Sequence, residues 1–436
     1  MISIILCVIA FGAVYKASRR SLGTGIGVLL AVGYAYGIVR ANLLDGYSHL
    51  LFDSALLGLY LARLFEPLPL AERLRLDEIR TWMFVLVGWP VVLFLVPRQD
   101  ILVELVGLRG NVFMLPCLVI GARMTRDDVY ELAFWVAGLN IAAGALAATE
   151  FIIGIEPFFP RNAVTDIIYR SGDVAGSAYR IPSCFANAHA YGGTMVMTLP
   201  LLIGAWMQPS RFSGPLFGTA IAVSTLGIFV AAARLPVVIL LAIGGVALFS
   251  GRVNIGHRLR WVFVGLVVAW AVSGQARLQR FTTLQDSDLV VERVTGSVNL
   301  GFFELAARYP MGNGLGGGGT SIPYFLQSRI RNSVYMENEY ARIALEQGIP
   351  GVLAWTLFLF WVFTRNPPSD PSWFLPRRLM RIAAAASFAS GLLGTGLLTA
   401  IPATAVLLLS LGWTAVSERA PDPAPVYART PRAASW

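Results

Sequence analysis

The chain has 436 residues, of which 56% are hydrophobic and only 14% are charged. A soluble domain has roughly 25% charged residues, so this composition excludes a soluble globular protein and predicts an all-α, polytopic transmembrane helical bundle. The formal net charge of +9 is assigned to membrane topology, and no nucleic-acid partner is expected, because Lys and Arg orient membrane proteins.

Apolar runs that approach the length of a membrane span follow one another along most of the chain. The first has no positive n-region and no small-residue cleavage site, so it is expected to be a retained helix. A span needs about 20 residues, and the pattern predicts about 12–13 spans. The runs cover 1–15, 21–39, 47–63, 81–97, 101–120, 130–154, 185–206, 214–231, 235–250, 261–274, 351–364, 381–397 and 400–416.

Lysine and arginine alternate in density between successive connections. The positive-inside rule therefore places the richer connections in the cytoplasm and two long connections, 155–182 and 275–350, outside. Between the richer connections, Arg40, Arg98 and Arg234 stand alone. The set with more Lys and Arg in total, called the richer connections here, is 16–20, 63–80, 123–126, 211 (a single arginine), 252–260, 365–381 and the tail at 419–432.

This orientation predicts four regions. Residues 1–274 hold the first ten spans and the outer loop at 155–182, and residues 275–350 form a large outer loop containing short helices. Residues 351–416 hold the C-terminal spans. The Pro-rich residues 417–436 are expected to be a disordered cytoplasmic tail.

Metal and cofactor chemistry has little support in the residue inventory. The three cysteines are scattered without a CxxC pair, and the chain has only three histidines. These numbers argue against disulfides, a cysteine-ligated metal and a histidine-rich metal centre. No metal and no cofactor are therefore expected.

The stretch NSVYMENEYARIALEQGIPG, residues 332–351, ends the large outer loop. Gly348 and Pro350 are expected to break a helix, so residues 337–347 are predicted to form a short helix at the outer surface. Arg342 and Glu346 are spaced to support it as an i,i+4 pair.

Glu337 opens this short helix and has two interpretations. It is a solvated surface charge, or it is a general base that gains strength from desolvation beside a membrane-facing cavity. Asp53, Glu104 and Arg109 lie within apolar runs and are candidates for a proton relay or for structural pairing. The glycine run at 311–321 lacks the GK[ST] ending of a phosphate loop, so a flexible turn is predicted.

Outer arginines suit phosphate oxygens because the guanidinium fork binds them in a bidentate way. Arg234 lies between two apolar runs, where it holds its charge at the mouth of the bundle or snorkels to the interface. Arg180 precedes IPSCFANAHAYGG, in which Asn187 and His189 either line a cavity or cap a helix.

These outer segments resemble the O-antigen ligase and Wzy-type polysaccharide polymerase superfamily, over residues from about 130 to 415. The family pattern R…hP-x-GxG is matched at Arg293, Pro310, Gly312 and Gly314. Its pattern HN-x-x-L…E-x-G-x-x-G is matched at Asn338, Glu346, Gly348 and Gly351. Its R…F-x-N-x-N-x-x-G segment is similar at Arg180, Asn187 and Gly192, with His189 in place of an asparagine, and its S-R-G turn keeps only Arg234.

The resemblance implies a glycosyltransferase at the periplasmic face of a bacterial inner membrane. Its donor would be an undecaprenyl-diphosphate-linked glycan and its acceptor a glycan or lipid, with the bilayer and a chain-length regulator as further partners. The ligases carry histidine in an H-x10-G pattern where this chain has Glu337, so the wider polymerase group is favoured. The implied diphosphate-binding residues are Arg180, Arg234 and Arg293, the implied base is Glu337, and the supporting residues are Asn338, Asn187 and His189.

Three other functions stay open at this point. A ligase would move a finished glycan onto lipid A-core or another acceptor. A lipid-linked sugar transporter is less favoured, because the halves show no repeat and the polar residues concentrate outside. A non-catalytic relative would have lost activity together with the family histidine.

Overall fold

The computed structural model describes residues 1–169, 179–208, 213–249, 256, 291, 302–319, 322–334, 336, 338–365, 367 and 371–417. All regular secondary structure in these ranges is helical, which confirms the predicted all-α fold. Two 3₁₀ helices cover Gly46–Leu50 and Tyr324–Arg329. The α-helices are α1 (Ile2–Arg20), α2 (Leu22–Asn42), α3 (Leu51–Arg63), α4 (Leu70–Phe94), α5 (Ile101–Val112), α6 (Cys117–Arg123), α7 (Arg126–Ile153), α8 (Asp166–Tyr169), α9 (Ala188–Trp206), α10 (Gly214–Val230), α11 (Arg234–Phe249), α12 (Phe302–Arg308), α13 (Glu339–Thr364), α14 (Phe374–Ser390) and α15 (Ala403–Ala415).

Within these ranges, 5 helical stretches are long and apolar enough to cross a membrane: α1, α2, Ile101–Arg123, α7 and α13. The helices α10, α11 and α15 are shorter but also apolar. The chain is therefore a helical membrane protein, as its composition predicts. The predicted run at 261–274 and the predicted tail from residue 418 onward lie outside the described residues.

Buried hydrogen bonds join four helices in the centre of the bundle. Asn140 on α7 accepts a hydrogen bond from the Tyr34 hydroxyl on α2. Its amide donates to Thr198 Oγ1 on α9 at 3.0 Å and to Ser224 Oγ on α10 at 2.7 Å. Because apolar burial does not drive helices together within lipid, such polar contacts help to fix their positions.

Helix α13 joins a short helix to a membrane span, and the two parts meet at a kink. Gly348 has φ 68° and ψ −169°, so the helix breaks where the sequence predicts. A Cβ at this position would lie 2.4 Å from the carbonyl oxygen of Pro310, which leaves room only for glycine. The first part begins at Glu339, with Asn338 as its N-cap.

This short helix is buried inside the protein, which the sequence does not predict. Arg342 and Glu346 do form the expected i,i+4 pair at 2.9 Å, but both side chains are 0% exposed. Asn111 of α5 donates to Glu346 Oε2 at 2.7 Å, and the amide of Gly318 donates to Glu346 Oε1 at 3.3 Å. The helix is buried because α5 and the glycine-rich loop cover it from two sides.

Candidate functional site

A cavity of about 1100 Å³ lies among the ends of α2, α5, α9, α11 and α14 and the loops that follow α12 and α14. Many of its lining residues lie in, or next to, connections that the charge pattern places outside. Apolar side chains supply much of the lining, together with backbone of two glycine-containing loops. The polar side chains on its surface include Tyr36, Arg40, His49, Asp53, Arg109, Asn187, His189, Ser387 and Thr395.

Asn187 and His189 lie at the start of α9, and both line the cavity. The Asn187 side chain also accepts a hydrogen bond from the Ala190 amide at 2.8 Å, so it caps α9 as well. Arg180 is nearly buried, at 8% exposed, and its Nη1 lies 2.6 Å from His189 Nε2. Since a guanidinium only donates hydrogen bonds, Nε2 must be the acceptor and carries no proton in this contact.

Arg234 is the first residue of α11, and the next two residues, Leu235 and Pro236, line the cavity. A Cβ at Gly192 would lie 3.3 Å from Pro236 Cγ, so the turn that carries Arg234 packs directly on α9. The structure therefore brings the Arg180 segment and the Arg234 turn together at one wall of the cavity.

Two of the predicted site residues, Glu337 and Arg293, lie outside the described residues. Met336, which precedes Glu337 in the sequence, lines the cavity. Asn338 accepts from the amides of Tyr340 at 2.8 Å and Ala341 at 3.2 Å. Asn338 is therefore the N-cap of α13.

A buried ion network lies behind the wall beside α13. Arg342 pairs with Glu339 at 2.7 Å, in addition to Glu346. The second oxygen of Glu339 accepts from the amide of Gly396 at 2.7 Å. Because Gly318 and Gly396 both line the cavity, the network anchors two of its loops to one helix.

The described part of the glycine run, residues 311–319, is a turn-rich loop rather than a phosphate loop. Gly312, Gly314, Gly316 and Gly319 have positive φ, a conformation that other residues adopt rarely. The amide of Gly318 is bonded to a carboxylate, so it does not offer its proton to a phosphate.

The ionisable residues within the apolar runs divide into two groups. Arg109 and Asp53 form an ion pair at 2.6 Å and both line the cavity. Glu104 instead accepts from the backbone amide of Gln99 at 2.8 Å and from that of Arg98. Glu104 therefore fixes a turn of the chain, whereas the Arg109–Asp53 pair belongs to the site.

Sequence reasoning did not nominate Arg40 or Tyr36 as site residues, although both line the cavity. The Arg40 guanidinium lies 5.2 Å from the centre of the Tyr36 ring. Its only signal in the sequence is its position as a lone arginine at the end of an apolar run, a pattern that indicates membrane topology and not a ligand site.

The charges at this site suit an anion. Two arginines and one aspartate line the cavity, and Arg180 stands behind His189. In the described part of the chain, no group of three His, Cys, Asp or Glu side chains could hold a metal ion. Guanidinium groups in an apolar-walled cavity can stabilise phosphate charge directly. In comparisons with known proteins, no family model and no curated protein matches this chain.

Proposed function

We propose that this protein is a membrane glycosyltransferase that polymerises glycan repeat units carried on a polyprenyl diphosphate, at the outer face of the membrane. The observation that carries the proposal is the cavity. The Arg180–His189 segment, the Arg234 turn and the chain just before Glu337 are far apart in sequence, and each contributes residues to its walls.

The proposed reaction exchanges one bond at the anomeric carbon. A hydroxyl oxygen of the acceptor glycan attacks that carbon, and the bond to the diphosphate oxygen breaks with its electron pair. The hydroxyl proton passes to the Glu337 carboxylate. The face opposite the leaving group is attacked, so the configuration inverts.

Arginines would stabilise the negative charge that grows on the departing diphosphate. Arg180, Arg234 and Arg293 are the proposed groups, and Arg180 is already held in place by His189. The apolar lining and the membrane-spanning helices around the cavity suit a polyprenyl tail. The concentration of these groups on the predicted outer side favours chemistry at that face over transport.

The test is Glu337→Gln in the native host with its glycan gene cluster intact. Accumulation of single repeat units on the carrier, with loss of polymer, is expected, because the amide cannot accept the proton. Such a base typically contributes about 10²–10⁴-fold to rate. The matched control is Glu304→Gln, which removes the same charge from an exposed position on α12, with membrane abundance measured for both variants.

The other outcomes of this experiment are equally specific. Long chains that accumulate on the carrier would indicate a ligase instead of a polymerase. An unchanged glycan profile would remove Glu337 from the mechanism.

A further inference from the structure

Arg40 faces the cavity with a charge that no described carboxylate compensates. It lies in the last turn of α2 and lines the cavity. Its Nη1 donates to the Tyr36 hydroxyl at 3.4 Å, and its Nε is buried without a hydrogen-bond partner in the described part of the chain. The Arg40 side chain is half-buried, and its guanidinium can offer the cavity charge-assisted donors, so this position favours an anionic ligand.

Arg109 lies on the same cavity and extends the cationic surface. Its Nη2 and Nε contact Asp53, and Nη2 also donates to the carbonyl oxygen of His49 at 3.1 Å. Asp53 compensates one of the two arginines, so Arg40, Arg109 and Asp53 together carry one net positive charge. A fixed guanidinium beside an uncompensated one can give a phosphate group several donors.

Arg40 and Arg109 are held in place by contacts that do not involve Arg180. The segment that carries Arg180 nevertheless packs against α2. The amide of Ile38 donates to the carbonyl oxygen of Cys184 at 3.0 Å. A Cβ at Gly37 would lie 2.0 Å from the carbonyl carbon of Phe185, so α2 packs tightly on the chain leading to α9. Arg40 is positioned by Tyr36 and Arg180 by His189. Arg40 and Arg109 therefore line the cavity at one position, and Arg180 lies behind its wall at another.

We propose that Arg40, assisted by Arg109, binds a second polyprenyl diphosphate, that of the lipid-linked acceptor. This inference rests on the proposed function, since a polymerase joins two glycans that each carry this anchor. The donor loses its diphosphate at the Arg180 side. The acceptor keeps its own, so Arg40 acts in binding and stabilises no developing charge.

The test counts bound diphosphates by native mass spectrometry of the purified full-length protein in micelles, with farnesyl diphosphate as the probe. Two probe molecules are expected on the wild type, one on Arg40→Gln and one on Arg180→Gln. Arg161→Gln is the matched control, because Arg161 is exposed on the outer loop, stacks on Tyr169 and does not line the cavity. This control should still bind two probe molecules.

Each alternative result overturns a defined statement. One bound probe on the wild type, or two on Arg40→Gln, would overturn the second site while the Arg180 site and the proposed function stand. No binding to any variant would overturn both. Displacement of the second probe by excess phosphatidylglycerol, but not by inorganic pyrophosphate, would assign Arg40 to a phospholipid headgroup and overturn its acceptor role.

Arg40→Lys is a second variant that keeps the test informative if Arg40→Gln misfolds. Lysine keeps the charge but loses the fork, so two probes should still bind, with about tenfold weaker affinity at the second site. Unchanged affinity at both sites would contradict the proposed role of the guanidinium.

Discussion

At the scale of single residues, the contact between Arg180 and His189 sets what this wall of the cavity can do. His189 Nε2 accepts from the guanidinium, so that nitrogen is not available to take a proton from a substrate. In the proposed reaction His189 is therefore a positioning residue for Arg180, which lies directly behind it at the cavity wall.

The substitution Arg180→Gln is expected to lower polymer synthesis by about 10²–10³-fold, the typical effect of removing one donor to a developing anion. Arg180→Lys should recover part of this loss, since it restores charge without the bidentate fork. Glycan chain length and initial rate in isolated membranes measure both effects. Equal activity of Arg180→Gln and the Arg161→Gln control would exclude Arg180 from the reaction.

The sequence alone predicts the role of a residue when that role depends on its neighbours in the chain. Asn338 and Asn187 each cap a helix that starts immediately after them, which a local pattern can show. The sequence does not identify Arg40 as a site residue, because its proposed role depends on Arg109 and Asp53 of other helices and no local pattern links them.

At the scale of elements, the buried Glu339–Arg342–Glu346 network determines how α13 meets the loops of the cavity. The i,i+4 spacing predicts the Arg342–Glu346 pair, but not its burial. That burial comes from Asn111, which is 235 residues away from Glu346 in the chain. Periodicity within one helix cannot report a covering group so distant in sequence.

Arg342→Met is therefore expected to destabilise the protein strongly, because it leaves two buried carboxylates unpaired. Breaking such a buried pair typically costs about 3–5 kcal/mol. Thermal unfolding in detergent measures the loss. Arg308→Met, at an exposed site on α12, should change stability by less than about 0.5 kcal/mol, and similar effects for the two variants would contradict the network's importance.

The kink of α13 gives a second prediction at this scale. Gly348→Ala would place a Cβ 2.4 Å from Pro310 O at a positive φ, so the kink and the loop beside it must shift. Gly138→Ala is the matched control, since its Cβ meets nothing within 4 Å on helix α7. We expect a clear loss of thermal stability for Gly348→Ala and a gain of up to about 1 kcal/mol for the control. An equal response would show that the left-handed conformation is dispensable.

At the scale of the whole molecule, composition and apolar runs predict the helical membrane fold, and the described helices confirm it. Helix ends are harder to predict. The run at 47–63 becomes a 3₁₀ helix followed by α3, and the run at 400–416 begins its helix only at Ala403. An apolar run has the same hydropathy whether it is buried in lipid or in protein, so hydropathy does not define where a helix ends. Helix ends depend on caps and on packing partners.

The orientation inferred from arginine placement is the assumption that joins fold and proposed function. A background variant without Cys7, Cys117 and Cys184, the three native cysteines, allows single cysteines to be introduced for labelling. A membrane-impermeant maleimide applied to intact spheroplasts should label Glu304→Cys on α12 and leave Asp127→Cys on α7 unlabelled until the membrane is opened. Both positions are exposed, so accessibility differs only through the membrane. The reverse pattern would place the cavity in the cytoplasm, where a substrate displayed at the outer face could not reach Arg180 or Arg40.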